Sequence, residues 1–153
     1  MPEDSLEVAV DASLTPEACF KRFTEGMTGW WPKAYTWSGE ALVKISITPK
    51  VGGPCSEIGP HGFRSDFGRV LAVHPGKSVR FTWQISMKRE PVPDPAMASR
   101  VDVRFSEIDA DTTRVVLIHS AFANHGEGFE AYRDAMASEQ GWPLILDCFN
   151  APA

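Results

Sequence analysis

From Ala41 to Ser120 the chain repeats one pattern, short blocks of alternating apolar and polar residues separated by turns rich in Gly, Pro or Asp. A period of two sends one set of side chains to a core and the other to water, which is the signature of a half-buried strand. The blocks are ALVKISIT, CSEI, DFGRVLAV, VRFTWQISM, RVDVRFSEI and TRVVLIHS, and LEVAVDA (Leu6–Ala12) near the amino terminus adds a seventh. Turns as short as HPGK and DADT join strands as hairpins, so antiparallel pairing is expected. One connection differs: KREPVPDPAMAS carries Pro91, Pro93 and Pro95, cannot join a ladder or a helix, and is expected to be a long exposed loop.

Two segments change period. After LEVAVDA, Thr15 can cap a helix that starts at Pro16 and Glu17, with Phe20, Phe23 and Met27 at helical spacing until Gly26 weakens it. From Gly126 to about Phe149 the spacing of Phe129, Tyr132 or Arg133, Met136, Trp142, Ile145, Leu146 and Phe149 predicts a long C-terminal helix. Gly141 and Pro143 should kink it or break it in two. The plan is α+β, a curved sheet wrapped around a terminal helix, and such a sheet leaves a gap at one end where pockets form.

At 153 residues the chain has the size of one domain, taken as 1–153, with no linker or internal repeat. Its net charge of −5 comes with scattered Lys and Arg, so the basic stripe of a nucleic-acid binder is missing and an anionic membrane surface is not expected as a partner. The acidic start MPEDSLEV lacks a signal-peptide run and no stretch has the length of a membrane span, so a cytoplasmic location is expected. Cys19, Cys55 and Cys148 are odd in number and far apart, which argues for reduced packing thiols rather than a disulfide framework. The four histidines show no metal-ligand spacing, and phosphate-loop motifs are absent; neither a metal nor a cofactor is expected.

GWWPKAYTW (Gly29–Trp37) concentrates three of the five tryptophans. With GGPCSE at Gly52–Glu57, DFGRVLAVHPGKSVRFTW at Asp66–Trp83, SRVDVRFSEIDADTTRVVLIHSAF at Ser99–Phe122 and GWP at Gly141–Pro143, it gives the chain an order of motifs that resembles the SRPBCC or START-like superfamily. The resemblance is to the branch named for the C-terminal domain of the heat-shock-protein-90 ATPase activator. It implies a helix-grip fold, in which seven antiparallel strands grip a long C-terminal helix around a deep apolar cavity. It leaves the chemistry open, because lipid carriers, cyclases and co-chaperones share that scaffold. The chain departs from the branch at Cys55 and Phe67, where an aromatic and a tryptophan are common; these changes are expected to reshape the cavity floor.

In that fold Trp30, Trp31, Trp37, Phe63, Phe67, Phe81, Trp83, Phe122, Met136 and Trp142 would line the interior, either filling it or walling a pocket. At least one of Trp30 and Trp31 is expected to turn in, with Lys33 and Tyr35 in water. Cys55, Glu57 and His119 share inward faces by alternation. Glu57 would either reach a ligand or pair with Arg69 or Lys44; His119 would either reach a ligand or be satisfied by a carbonyl or a Trp N–H. A Glu57–His119 acid/base pair and a Cys55–His119 nucleophile pair are geometrically open, but no spacing demands either. The expected function is therefore binding of a small hydrophobic molecule by Trp30, Trp31, Trp37, Cys55, Glu57, Phe67, Trp83, His119, Phe122, Met136 and Trp142, without catalytic residues. A chaperone-binding module and a cyclase-like or hydrolase-like enzyme are the alternatives, and a homodimer is compatible with either.

Overall fold

The computed structural model describes residues 4–150; residues 1–3, the head of the acidic amino terminus, and 151–153 lie outside the described residues. Seven strands form one antiparallel sheet: β1 (Leu6–Ala12), β2 (Lys44–Ile47), β3 (Pro54–Ile58), β4 (Arg64–His74), β5 (Ser78–Trp83), β6 (Ser99–Asp109) and β7 (Thr112–Ser120). Their order across the sheet is β1-β7-β6-β5-β4-β3-β2. All pairings but one are between sequence neighbours; β1 closes onto β7 with Leu6 opposite His119 and Ala12 opposite Thr113.

Parity falls as the alternation requires. Val101, Val103 and Phe105 of β6 and Val115, Leu117 and His119 of β7 are buried on one face, while Arg100, Arg104 and Arg114 point to solvent. Solvent-side charges pair across strands, as Arg80 does with Asp102 at 3.2 Å and Arg114 with Asp11 at 3.0 Å, and along β6, where Arg104 reaches Asp102 at 3.3 Å. Such exposed pairs are screened by solvent and add little to stability. Burial of the inner face is the larger stabilising term.

The sheet bends at β4. Register slips between Cys55 and Ser56 of β3 and again between Val70 and Ala72 of β4, so the bulged strand coils over the core. Gly68 sits at this bend with its Cα turned onto the Thr82 carbonyl, where a Cβ would collide with backbone. Only glycine permits that approach.

Among the described residues three α-helices complete the fold: α1 (Pro16–Phe23), α2 (Phe129–Ala137) and α3 (Trp142–Asn150). Thr15 caps α1 as its sequence predicts, its Oγ1 accepting from the Ala18 N–H at 3.2 Å. Of the kink or break expected at Gly141 and Pro143, the structure shows the break, which leaves two helices. Ser138 ends α2 in extended backbone, its hydroxyl donating to the Ala135 carbonyl at 2.6 Å, and Gly141 N–H donates to Ser138 O at 2.9 Å. Pro143 thereby falls in the first turn of α3, where a missing N–H costs nothing. Trp142, Ile145, Leu146 and Phe149 of α3 are buried in the core cluster that includes the sheet's inner side chains.

Candidate functional site

A pocket of about 490 Å³ opens beside the break between α2 and α3. Its walls come from five places. The segment after α1 supplies Trp31, Tyr35, Thr36 and Trp37; β2 to β5 supply Ile45, Glu57, Phe67 and Trp83; the loop after β5 supplies Ile85, Met87 and Arg89. The helix α2 adds Tyr132, Ala135 and Met136, and the break with α3 adds Ser138, Gln140, Gly141 and Ile145.

GWWPKAYTW divides its tryptophans between two tasks. Trp30 is 6% exposed and belongs to the core: its indole donates to the Arg22 carbonyl at 2.8 Å and its ring packs on Phe23 and Phe149 at 5.2 and 5.0 Å. Trp31, 5% exposed, packs edge-on against Trp142 at 6.0 Å and lines the pocket. Lys33 is exposed, but Tyr35 is not the water-facing residue expected: it is half-buried, lines the pocket, and donates its hydroxyl to the Gln140 carbonyl at 2.7 Å. That bond ties the aromatic segment to the helix break. Phe63 is also displaced from expectation, at 42% exposed in the turn before β4.

Glu57 lies in the pocket wall yet is only 2% exposed. Its carboxylate makes neither of the expected ion pairs. Instead Trp37 N–H donates to Oε1 at 3.0 Å, and Ser38 N–H and Ser38 Oγ donate to Oε2 at 2.7 and 2.6 Å. Three donors satisfy the two carboxyl oxygens without a cation. Glu57 therefore acts as a clasp that fixes the backbone of Trp37 and Ser38 over the pocket.

His119 is moved out of the pocket. Inward parity gives its face but not its depth: the ring lies behind Trp83, stacked on Phe122 at 4.0 Å, and is fully buried. Trp142 Nε1 donates to His119 Nδ1 at 2.9 Å, so Nε2 carries the hydrogen and faces Ser99 Oγ at 2.6 Å. Ser99 Oγ in turn reaches His125 Nε2 at 2.8 Å, and Ser99 N–H donates to the same nitrogen at 3.2 Å. Desolvation, with a contribution from His125, holds His119 well below the ordinary value of 6.5; desolvation also lowers His125. This chain of polar groups is a satisfied core network. It leaves His119 no nitrogen for Glu57 or Cys55, so neither proposed pair exists.

Of the remaining candidates, Trp37, Phe67, Trp83 and Met136 line the pocket, whereas Cys55, Phe122 and Trp142 pack behind it. Burial pushes the Cys55 thiol far up, which leaves it inert. Sequence reasoning missed Tyr132, whose hydroxyl accepts from Trp83 Nε1 at 2.8 Å and donates to the Ile85 carbonyl at 2.6 Å; burial pushes that hydroxyl up, against the hydrogen bond from Trp83 and the charge of Arg89. It also missed Arg89. Tyr132 was visible as a polar-tipped aromatic on the helical stripe, but nothing local in the Pro-rich loop marks Arg89. Among the described residues no group of three or more His, Cys, Asp or Glu side chains is placed to hold a metal, and no helix is long and apolar enough to cross a membrane.

A curved antiparallel sheet closed over C-terminal helices defines a helix-grip protein. The chain belongs to the family of Activator of Hsp90 ATPase homolog 1-like proteins, whose pattern matches residues 13–151. Among solved structures it is similar to the anthrahydroquino-γ-pyrone synthase Txn09 complexed with SUM, with 27% identity over 100% of this chain and 92% of that one and a TM-score of 0.61. It is similar to the self-sacrificing resistance protein CalC of Micromonospora echinospora, with 25% identity over 97% and 92% of the chains and a TM-score of 0.66. An HSP90 activator from Plasmodium falciparum shares the fold at 18% identity over 97% and 98%, with a TM-score of 0.60. No curated protein matches the sequence.

Proposed function

We propose that this protein binds a small, largely apolar molecule in the pocket between its sheet and α2. The observation that carries this reading is the pocket's size and lining: about 490 Å³ walled by Trp31, Tyr35, Trp37, Phe67, Trp83 and Tyr132. Drug-sized ligands occupy pockets of roughly 300–1,000 Å³ lined by such rings and a few fixed polar groups. The polar groups here are largely committed to the scaffold, which favours binding over chemistry. Thermal-shift and native mass-spectrometry screens against fatty acids, aromatics and isoprenoids test it. Stabilisation by at least one class is expected, and no mass adduct or stabilisation from any would remove the reading.

A second reading, an enzyme acting on a pocket-bound substrate, draws on the similarity to the γ-pyrone synthase. Its test is turnover of an identified ligand by Glu57→Gln and Tyr132→Phe; unchanged rates in both would count against those residues as catalysts. A co-chaperone role draws on the family itself. A pull-down with the ninety-kilodalton chaperone that retains nothing would end it.

A further inference from the structure

The loop after β5 is anchored on both sides. Gln84 Nε2 donates to the Val92 carbonyl at 2.9 Å, and Ile85 bridges Pro91. Within it, Ser86 N–H donates to Glu90 O at 2.8 Å and Arg89 N–H to Ser86 O at 2.9 Å, which makes a tight turn with Arg89 at φ 62°. That is left-handed backbone, where glycine is at ease and a long side chain costs roughly 1–2 kcal/mol. An arginine occupies the position nonetheless. Its carbonyl accepts the Trp37 indole N–H at 2.6 Å, its guanidinium lies 5.3 Å from the centre of the Tyr35 ring, and its side chain lines the pocket. The turn itself calls for that conformation, since a three-residue hairpin loop ends in a left-handed residue; what the arginine adds is its side chain.

The pocket has two charged residues in its wall, and they differ in what they have left to offer. Glu57 is saturated by three donors from Trp37 and Ser38. Arg89 forms no ion pair with a described carboxylate; its one hydrogen bond from the side chain is a long contact of 3.5 Å to the Ala34 carbonyl. A guanidinium has five N–H donors in a fork that matches an oxyanion, and its contact with the Tyr35 ring does not neutralise it.

Resting on the pocket reading above, we propose that Arg89 is the anion-recognising group of this site. The ligand class is an organic acid: an aromatic or similarly bulky apolar body against the rings, with one carboxylate or equivalent oxyanion at the mouth on Arg89.

The test compares two fluorescent probes with one ring body, anilinonaphthalene sulfonate and its sulfonate-free parent phenylnaphthylamine, on the full chain and on Arg89→Gln and Arg89→Gly. Wild-type protein should hold the sulfonate about tenfold more tightly than the parent, since a charge-assisted hydrogen bond is among the stronger polar contacts. Both variants should lose that preference while binding the parent within about twofold of wild type, as expected for loss of a rim contact alone. Arg89→Gly should also melt no lower than wild type, because it relaxes the left-handed backbone, so lost selectivity cannot be ascribed to unfolding. Equal binding of both probes to wild type, or a preference that survives in both variants, overturns the role of Arg89 and leaves the pocket standing. Failure of wild type to bind either probe overturns both.

Discussion

The indole of Trp142 donates to Nδ1 of His119 at 2.9 Å, and because an indole N–H can only donate, that bond sets the imidazole's tautomer. A helix residue thus decides which nitrogen of a strand residue meets Ser99. The bond also pins the start of α3 to β7.

Trp142→Phe removes the indole donor together with part of a fully buried ring, and leaves His119 Nδ1 buried without a donor. Loss of about 1–3 kcal/mol is expected from the orphaned buried acceptor, with a further loss from the cavity that the missing ring atoms leave. Urea denaturation checks it through the midpoint at unchanged slope.

Acid should weaken the fold through the same network. Both His119 and His125 are held below 6.5 in the folded protein, so the unfolded chain takes up protons at a pH where the folded one does not. Their contribution is fully present above about 6.5 and is lost as pH falls from there through the folded values. Melting temperatures across that window should decline, and His125→Gln should flatten the decline. A pH-independent melting temperature would contradict the assignment.

Glu57→Gln replaces one acceptor oxygen with an amide donor facing the N–H groups of Trp37 and Ser38. The clasp should loosen, with a loss of about 1–3 kcal/mol. Hydrogen exchange should rise at the Trp37 and Ser38 amides before it rises in β3.

Gly141→Ala would drive a Cβ into the backbone of Ala135 and Met136. Overpacking of this kind costs about 1–3 kcal/mol. Since Gly141 lines the pocket, probe affinity should fall with stability, and the two can be followed in one thermal-shift titration.

What was legible in the sequence was whatever a short repeat controls. The alternation in RVDVRFSEI and TRVVLIHS gave the buried set of β6 and β7, and Thr15-Pro16-Glu17 gave the start of α1, because local sterics and capping decide both. The pocket was only partly legible. Trp31, Trp37, Glu57, Phe67, Trp83 and Met136 are in its wall, while Trp30, Cys55, Phe122, His119 and Trp142 share the inward side but lie behind it. Parity reports a face, whereas depth depends on which elements cover that face. Tyr35 and Arg89 escaped for a related reason: their positions follow from bonds to Gln140 and Trp37, partners 105 and 52 residues away.

The pairing of β1 with β7 has a consequence for the order of assembly. Every other ladder joins strands that follow one another in the chain, so it can form by zipping outward from a turn. Bringing Leu6 to His119 requires closing about three quarters of the chain into a loop, and the entropy of that closure is recovered only once the hairpins exist to receive the strand. We expect β1 to dock last: Val8→Ala and Val10→Ala should speed unfolding and leave the folding rate almost untouched, while Val103→Ala in β6 should slow folding. The edge of the sheet that is written first in the sequence would then be the seam on which the finished molecule closes.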